Sequence, residues 1–337
     1  MKLATYKDGS RDGQLVVVSR DLRVAHYATG IASRMQQVLD AWGFMAPQLQ
    51  DLYHQLNTGR APHAFAFDPT QCMAPLPRVQ QWIDAVAYPT HWALTQPDWP
   101  ASASQPLMRQ GAGDSVVGAC DEVLVGSAAM QADFGAGLAA LTGDVPLGCT
   151  PEQAQYTIRL LMLCNIFCLR NLVPAAPAHP WSQIQSWPAI GLSPVAVTSD
   201  ELGAAWQAGR VHLPVHSTLN GRKVGMCEAG EDMAFSFSQL LAHAAKTRTL
   251  HAGSMISTGV VSNQSIFSEQ DQQMAWPKGA HCIAEKRAME FKLSGHMSTS
   301  YLQLGDTVRI EMKDKAGHSI FGAIDQTIVA PDDAGGI

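Results

Sequence analysis

Asp133-Phe134-Gly135-Ala136-Gly137-Leu138-Ala139 opens a run, residues 134–142, that reads as a β-strand. Its two glycines are the positions on which fold and chemistry turn. Short strands recur on both sides of it. Residues 121–126 read as one upstream. Downstream, residues 211–217 and 223–226 flank Asn220-Gly221, a dipeptide that favours a tight hairpin turn because both positions tolerate positive φ. Residues 307–312 and 320–328 flank Lys315-Ala316-Gly317 in the same manner. Helices are expected over 151–163, where Thr150 offers a cap and Pro151 suits a first turn, and over 237–245. Strands and helices do not alternate regularly, which argues against a doubly wound sheet. The pattern is that of a mixed, β-rich α+β chain.

The first segment has its own character. Leu15-Val16-Val17-Val18-Ser19 reads as a strand between turns at Asp8-Gly9 and Asp12-Gly13. A helical stretch follows over 31–56, with Met35, Val38, Leu39 and Trp42 at helical spacing. Pro47 is expected to divide it into two helices, since proline removes an N–H and crowds the preceding turn. The division expected is a small N-terminal α+β domain over residues 1–75 and a larger domain over 76–330.

The 337 residues are 46% hydrophobic and 15% charged, with a net charge of −6. That balance gives no electrostatic footprint for nucleic acid. No apolar run reaches the length of a membrane span, and Met1-Lys2-Leu3-Ala4-Thr5-Tyr6-Lys7 lacks the apolar core of a secretion signal. A cytoplasmic protein that binds neither nucleic acid nor membrane is expected. The seven cysteines form no framework spacing, and Cys164 and Cys168 lack a second pair to complete a zinc site. They read as reduced structural thiols. His179, His243, His251 and His281 fall in no ligand spacing. Gly111-Ala112-Gly113 reads as a turn, since no strand-to-helix fingerprint surrounds it.

Several short segments, in order, resemble the fumarylacetoacetate hydrolase family. They are Ala132-Asp133-Phe134, Gly143-Asp144-Val145-Pro146, Leu169-Arg170-Asn171-Leu172, Ser193-Pro194-Val195-Ala196-Val197, Ala245-Lys246-Thr247-Arg248, Cys282-Ile283-Ala284-Glu285 and Gly305-Asp306-Thr307-Val308-Arg309. The resemblance covers nearly the whole chain. It implies a twisted β-roll behind a small N-terminal domain, and a homodimer. It also implies a small-molecule substrate: members cleave, hydrate or decarboxylate β-diketo and related oxo acids. In them a divalent cation chelates the dicarbonyl and stabilises enolate charge.

Transferred residue by residue, the resemblance places the first metal carboxylate at Asp84 and the catalytic histidine at His91. The acid that orients that histidine falls at Glu285, expected in a late strand. The two strand glutamates of the family fall at Gly135 and Gly137. The fourth ligand, an aspartate after an asparagine, falls at Ile166, after Asn165. The family's lysine before a proline falls at Trp187, before Pro188, and its threonine falls at Val260. A tyrosine expected before Gln110-Gly111 is Arg109. Hard cations need several oxygen ligands, and Asp84 alone is a poor site, so no metal and no cofactor are expected.

What remains is a carboxylate–imidazole pair, His91 with Glu285. Such a pair moves protons without a metal. The expected function is a repurposed, metal-independent enzyme using this base on a β-dicarbonyl or similar acidic C–H compound, in specialised metabolism. Cyclisation, isomerisation, elimination and C–C cleavage all fit. Asp84, Arg109, Gln110, Ile166, Trp187 and Val260 are expected to line the substrate site, with Arg109 suited to a carboxylate. Two alternatives stand: a non-catalytic small-molecule-binding or scaffold protein, and a conventional metal-dependent hydrolase with a shifted ion. In the latter Asp133, two residues before Gly135 and so on the same strand face, would replace a lost ligand.

Overall fold

The computed structural model describes residues 1–97, 104–173, 184–264 and 279–331; His179 lies outside them. The chain opens with an antiparallel meander, β1 (Lys2–Tyr6), β2 (Gln14–Val18) and β3 (Val24–Tyr27), followed by α1 (Met35–Asp40), α2 (Trp42–Asn57) and β4 (Phe65–Ala66). β5 (Gln81–Ala85) leads into α3 (Pro89–Thr95) and then β6 (Met108–Gly111), β7 (Val116–Val117) and β8 (Val123–Leu124). The quoted stretch spans β9 (Ala132–Asp133) and β10 (Ala136–Thr142). After α4 (Pro151–Gln155) come β11 (Ile158–Ile166), β12 (Cys168–Leu169), β13 (Ile190–Leu192) and β14 (Ala196–Val197). A short pair, β15 (Trp206–Gln207) and β16 (Arg210–Val211), precedes β17 (Val215–Leu219) and β18 (Arg222–Gly225). α5 (Phe237–Ala244), β19 (Ser254–Ser257), α6 (Ile283–Ser294), β20 (Thr307–Lys313) and β21 (Ser319–Val329) complete the fold.

A large mixed sheet runs β4-β3-β2-β1-β14-β11-β10-β19-β5-β6, with β13 and β7 branching from β11. The first strands are therefore hydrogen-bonded into the same sheet as the rest. A second sheet runs β18-β17-β20-β21-β8. The large sheet is covered on both faces. Along β11, Leu161 and Leu163 enter one apolar cluster, while Leu160, Met162, Cys164 and Ile166 enter the other. β10 divides likewise, with Leu138 and Ala140 on the first face and Ala139 and Leu141 on the second. This period of two is the signature of a strand buried on both sides.

The same burial explains one departure from expectation. The helix expected over 151–163 ends at Gln155, and β11 begins at Ile158. A strand apolar on both faces presents a continuous hydrophobic run, which periodicity alone does not distinguish from a buried helix. The other departure is at Pro47, which sits inside α2. The break falls instead at Ala41, whose backbone leaves the helical region. Pro47 and Gly43, the carbonyl partner that proline deprives of a donor, are both exposed, so water satisfies the group. The hairpins form at the expected places. Asn220 and Gly221 both take positive φ, 51° and 72°, and join β17 to β18. Among the described residues no helix is long and apolar enough to cross a membrane.

The segment leading into α6 carries a fully buried histidine. His281 accepts the backbone N–H of Cys227 at Nε2 (3.0 Å). Its proton therefore sits on Nδ1, which donates to Ser217 Oγ at 2.7 Å. Burial first, and the neighbouring His216 second, push its pKa down to about 3. An unfolded histidine titrates near 6.5. As the pH falls below that value the unfolded chain gains a proton that the folded chain refuses, so stability drops; above it this contribution is flat. The expected loss is up to ~1.4 kcal/mol per pH unit between about 6.5 and 3. Urea unfolding from pH 7.5 to 4.5 measures it. His281→Gln should flatten that part of the profile; an unchanged acid slope in this variant counts against the assignment.

Candidate active site

Asp84 lies on β5, on the face it shares with Trp82. β5 pairs in parallel with β19, which sets Ser257 beside Asp84. Trp82 Nε1 donates to Ser257 Oγ at 2.9 Å, and Ser257 Oγ donates to Asp84 Oδ1 at 2.6 Å. The other carboxylate oxygen receives Arg109 Nη2 at 2.5 Å. Arg109 comes from β6, whose antiparallel register places it opposite Asp84. Its guanidinium carbon lies 3.4 Å from the centroid of the Trp187 ring, a cation–π stack. Asp84 is 8% exposed and the Arg109 side chain 20%. A buried carboxylate thus already has its counter-ion, and that counter-ion is a side chain.

The surroundings test whether a divalent ion fits here. Gly137 faces Cys164 across β10 and β11. A Cβ on Gly137 would run into the carbonyl oxygen of Gly259 and lie 3.3 Å from Cys164 Sγ. A Cβ on Gly135 would meet Ile166 O and Val260 Cγ2, each at 2.9 Å. The backbone has closed on both positions where the family's glutamates would begin. Ile166 offers no ligand, and burial pushes the thiol of Cys164 well up, keeping it neutral. An ion beside Asp84 would face the Arg109 cation with no other carboxylate to hold it. The residues present do not fit a magnesium-type site.

Asp133 does not rescue one. Its strand, β9, ends before Gly135 and pairs with β12, whereas β10 pairs with β11. Its carboxylate is fully buried and accepts the backbone N–H groups of Ile283 (2.7 Å) and Ala284 (3.0 Å) and Arg170 Nε (2.9 Å). It serves as the anchor of the α6 N-terminus, where a negative charge is favoured. The shifted-ion alternative loses its ligand. Asn165 is likewise structural: it accepts Gly135 N–H at 3.1 Å and donates to Gln326 Oε1 at 3.1 Å.

His91 and Glu285 meet. His91 stands in α3, where Pro89 occupies the first turn and Tyr88, buried, donates to Ala229 O at 2.5 Å. Glu285 lies in the first turn of α6, not in the strand expected, and is 1% exposed. Cys282 caps that turn, its sulfur 3.4 Å from the Glu285 backbone N–H. His91 Nδ1 is 2.8 Å from Glu285 Oε1. The carboxylate holds the proton on Nδ1 and leaves the Nε2 lone pair free to accept another; Nε2 makes no hydrogen bond among the described residues. Glu285 Oε2 is buried without a partner among them. His91, Cys282 and Glu285 have donor atoms within 4.8 Å of one another, so they are the metal-capable group among the described residues. Burial, then the charges of Asp133 and Glu285, push the Cys282 thiol well up, which makes it a neutral neighbour and neither a ready ligand nor a nucleophile.

Of the other expected residues, Ile166 and Val260 are buried beside Gly135, and Trp187 backs Arg109. Gln110 follows Arg109 on β6, lies on the opposite face and is exposed, because strand side chains alternate, so it is not brought to Asp84 with Arg109. Sequence reasoning missed Arg170, Cys168 and Ser257. An arginine in the Leu169-Arg170-Asn171 segment was a usable signal. The serine was not, since only the β5–β19 register brings it to Asp84.

Residues 1–78 match the family model described as fumarylacetoacetase N-terminal domain 2, and residues 80–329 match that of the fumarylacetoacetate hydrolase C-terminal domain. No curated protein matches significantly. Among solved structures, a fumarylacetoacetate hydrolase from the psychrophilic Exiguobacterium antarcticum is 17% identical with a TM-score of 0.65, over 98% of this chain and 99% of that one. Maleylpyruvate hydrolase from Sphingobium sp. SYK-6, in complex with manganese(II) and pyruvate, is 14% identical with a TM-score of 0.63, over 98% and 99%. A 5-carboxymethyl-2-hydroxymuconate delta-isomerase from Mycobacterium smegmatis is 13% identical with a TM-score of 0.59, over 98% and 99%.

The Asp84–Arg109 pair makes a stability prediction. Arg109→Ala strands a buried carboxylate and should cost about 3 kcal/mol, since breaking a buried pair leaves an uncompensated charge. Asp84→Asn combined with Arg109→Gln should cost markedly less than Arg109→Ala alone. Denaturant midpoints decide; equal losses would mean that the pair is not coupled.

Proposed function

The chain belongs to the fumarylacetoacetate hydrolase family, and from that premise we propose that it is an enzyme that works without the family's divalent ion. His91 is its general base, oriented by Glu285, and its substrate is a β-dicarbonyl or comparably acidic C–H compound. The observation that carries this reading is the 2.8 Å contact between His91 Nδ1 and Glu285 Oε1. A carboxylate so placed supports the imidazolium that forms when Nε2 takes a proton from carbon. Glu285 is itself supported by its place in the first turn of α6, at the positive end of the helix dipole. Proton removal next to a carbonyl gives an enolate. Isomerisation, elimination, cyclisation and C–C cleavage are all routes from it, and a substrate of specialised metabolism lacking the second carboxylate would suit a pocket lined by Trp187 and Val260 in place of lysine and threonine.

A second reading, a binding protein without turnover, has one observation in its favour. The guanidinium of Arg109 and the ring of Trp187 fill space beside Asp84, as a pocket retired from catalysis would.

One assay separates the two. Pyruvate in D₂O exchanges its methyl protons when a base forms the enol, and proton NMR follows the loss of signal. The protein, treated with EDTA, should accelerate this exchange. His91→Ala should lower the rate by roughly 10²–10⁴-fold, and Glu285→Gln by less. Exchange that requires added Mg²⁺ would refute the metal-free base. Exchange equal in wild type and His91→Ala would leave the binding protein as the better account.

A further inference from the structure

Arg109 carries a charge that proton transfer by His91 does not use. Asp84 engages its guanidinium end-on, through Nη2 alone, and the second oxygen of Asp84 is taken by Ser257. A guanidinium has five N–H donors in a planar fork, so an end-on pair leaves most of them for another acceptor. Nε is buried with no hydrogen-bond partner among the described residues. A buried donor left without an acceptor is destabilising, a penalty that a ligand would relieve.

The surroundings favour an anion as that ligand. Burial pushes the pKa of Arg109 down; Asp84 opposes this, and the nearby charge of Arg170 adds to it. The neutral thiol of Cys168 feels both guanidiniums. Arg170 gives its Nε to Asp133. The Leu169 N–H bonds to Ser186 O, which sets the segment of Arg170 beside that of Trp187, on which Arg109 stacks, and each guanidinium is tied to a carboxylate through a single nitrogen. Arg170 is joined to the proposed base through its own partner: Asp133 anchors the first turn of α6, where the sulfur of Cys282 is 4.0 Å from His91 Nδ1. Trp187 closes one face of Arg109 and holds the fork in its plane.

We infer that Arg109, backed by Arg170, has taken over the task of the family's cation: it binds the α-oxo-carboxylate of the substrate, so that the site accepts 2-oxo acids with no divalent ion. The planar fork suits a carboxylate edge as an ammonium or a lone water would not. The inference rests on the reading of this region as the active site. When a C–H proton beside the carbonyl passes to His91 Nε2, the electron pair of that bond becomes the enolate C=C. The negative charge then falls on the carbonyl oxygen, where a guanidinium N–H stabilises it.

The test is binding, read apart from turnover. Sodium pyruvate is titrated into EDTA-treated protein, and the Trp187 signal is taken as the fluorescence difference between wild type and Trp187→Phe. The expected result is saturable binding, unchanged by Mg²⁺ and stronger than that of sodium acetate. It should weaken about tenfold or more in the Asp84→Asn/Arg109→Gln double variant, which strands no charge and whose fold circular dichroism checks. His91→Ala should still bind. Undiminished binding by the double variant, binding only with Mg²⁺, no binding at all, or equal binding of acetate overturns the inference. Loss of deuterium exchange with binding intact would sink the base and leave the anion site standing.

Discussion

The Asp133 carboxylate holds the candidate site in place. It lies at the end of β9 and receives two backbone N–H groups from the first turn of α6 and a guanidinium nitrogen from Arg170. A helix begins with N–H groups that have no partner in the helix itself. Buried, they need an acceptor, and Asp133 supplies both oxygens. Glu285 comes two and one residues after those anchored positions, so the direction of α6 fixes where its carboxylate points. His91 meets it from α3, which packs against α6. Arg170 is tied to the same carboxylate. The proposed base and the proposed anion site therefore depend on one buried charge that itself touches no substrate.

Around Asp84 the counter-charge is supplied by a side chain. A carboxylate at 8% exposure is costly without a partner. Once the neighbouring ligands are gone, an ion no longer supplies that partner, and Arg109 does. The exchange is not neutral in shape. A guanidinium brings directed donors and a flat face, and Trp187 covers that face at 3.4 Å. The two positions where the resemblance leads one to expect a lysine and a tyrosine hold a stacked pair, Trp187 on Arg109.

The fold was legible in the sequence where local chemistry decides it. Asn220-Gly221 forces its hairpin through backbone conformation alone. Thr150 and Pro151 start α4 as caps do, with the Thr150 side chain accepting Gln153 N–H. Legibility failed where burial overrides local pattern. β11 hid inside an apolar run because both its faces are covered, and Pro47 is tolerated because the carbonyl it orphans faces solvent. For the site, the meeting of His91 and Glu285 followed from the family resemblance, whereas the helical setting of Glu285 did not. Asp133 looked like a ligand because strand alternation would put it beside Gly135. The strand ends first, and no local signal marks that end. The link from Arg109 to Asp84 depends on the β5–β6 register, a long-range fact that spacing along the chain does not carry.

Gly137 gives the change its direction. A lost ligand can usually be regained by restoring one side chain, but here a Cβ would collide with the carbonyl of Gly259. Gly259 itself takes a φ of 73°, a region open to glycine and strained for other residues, so that carbonyl is held by backbone geometry. β10 and the segment after β19 lie against each other in the space a glutamate stem at 137 would need, and Val260 lies against Gly135 in the same way. Regaining the ion would require reopening the backbone at both positions and displacing Arg109 from Asp84. The packing thus works against the family's ion at both positions, which is why the proposed chemistry is built on side chains alone.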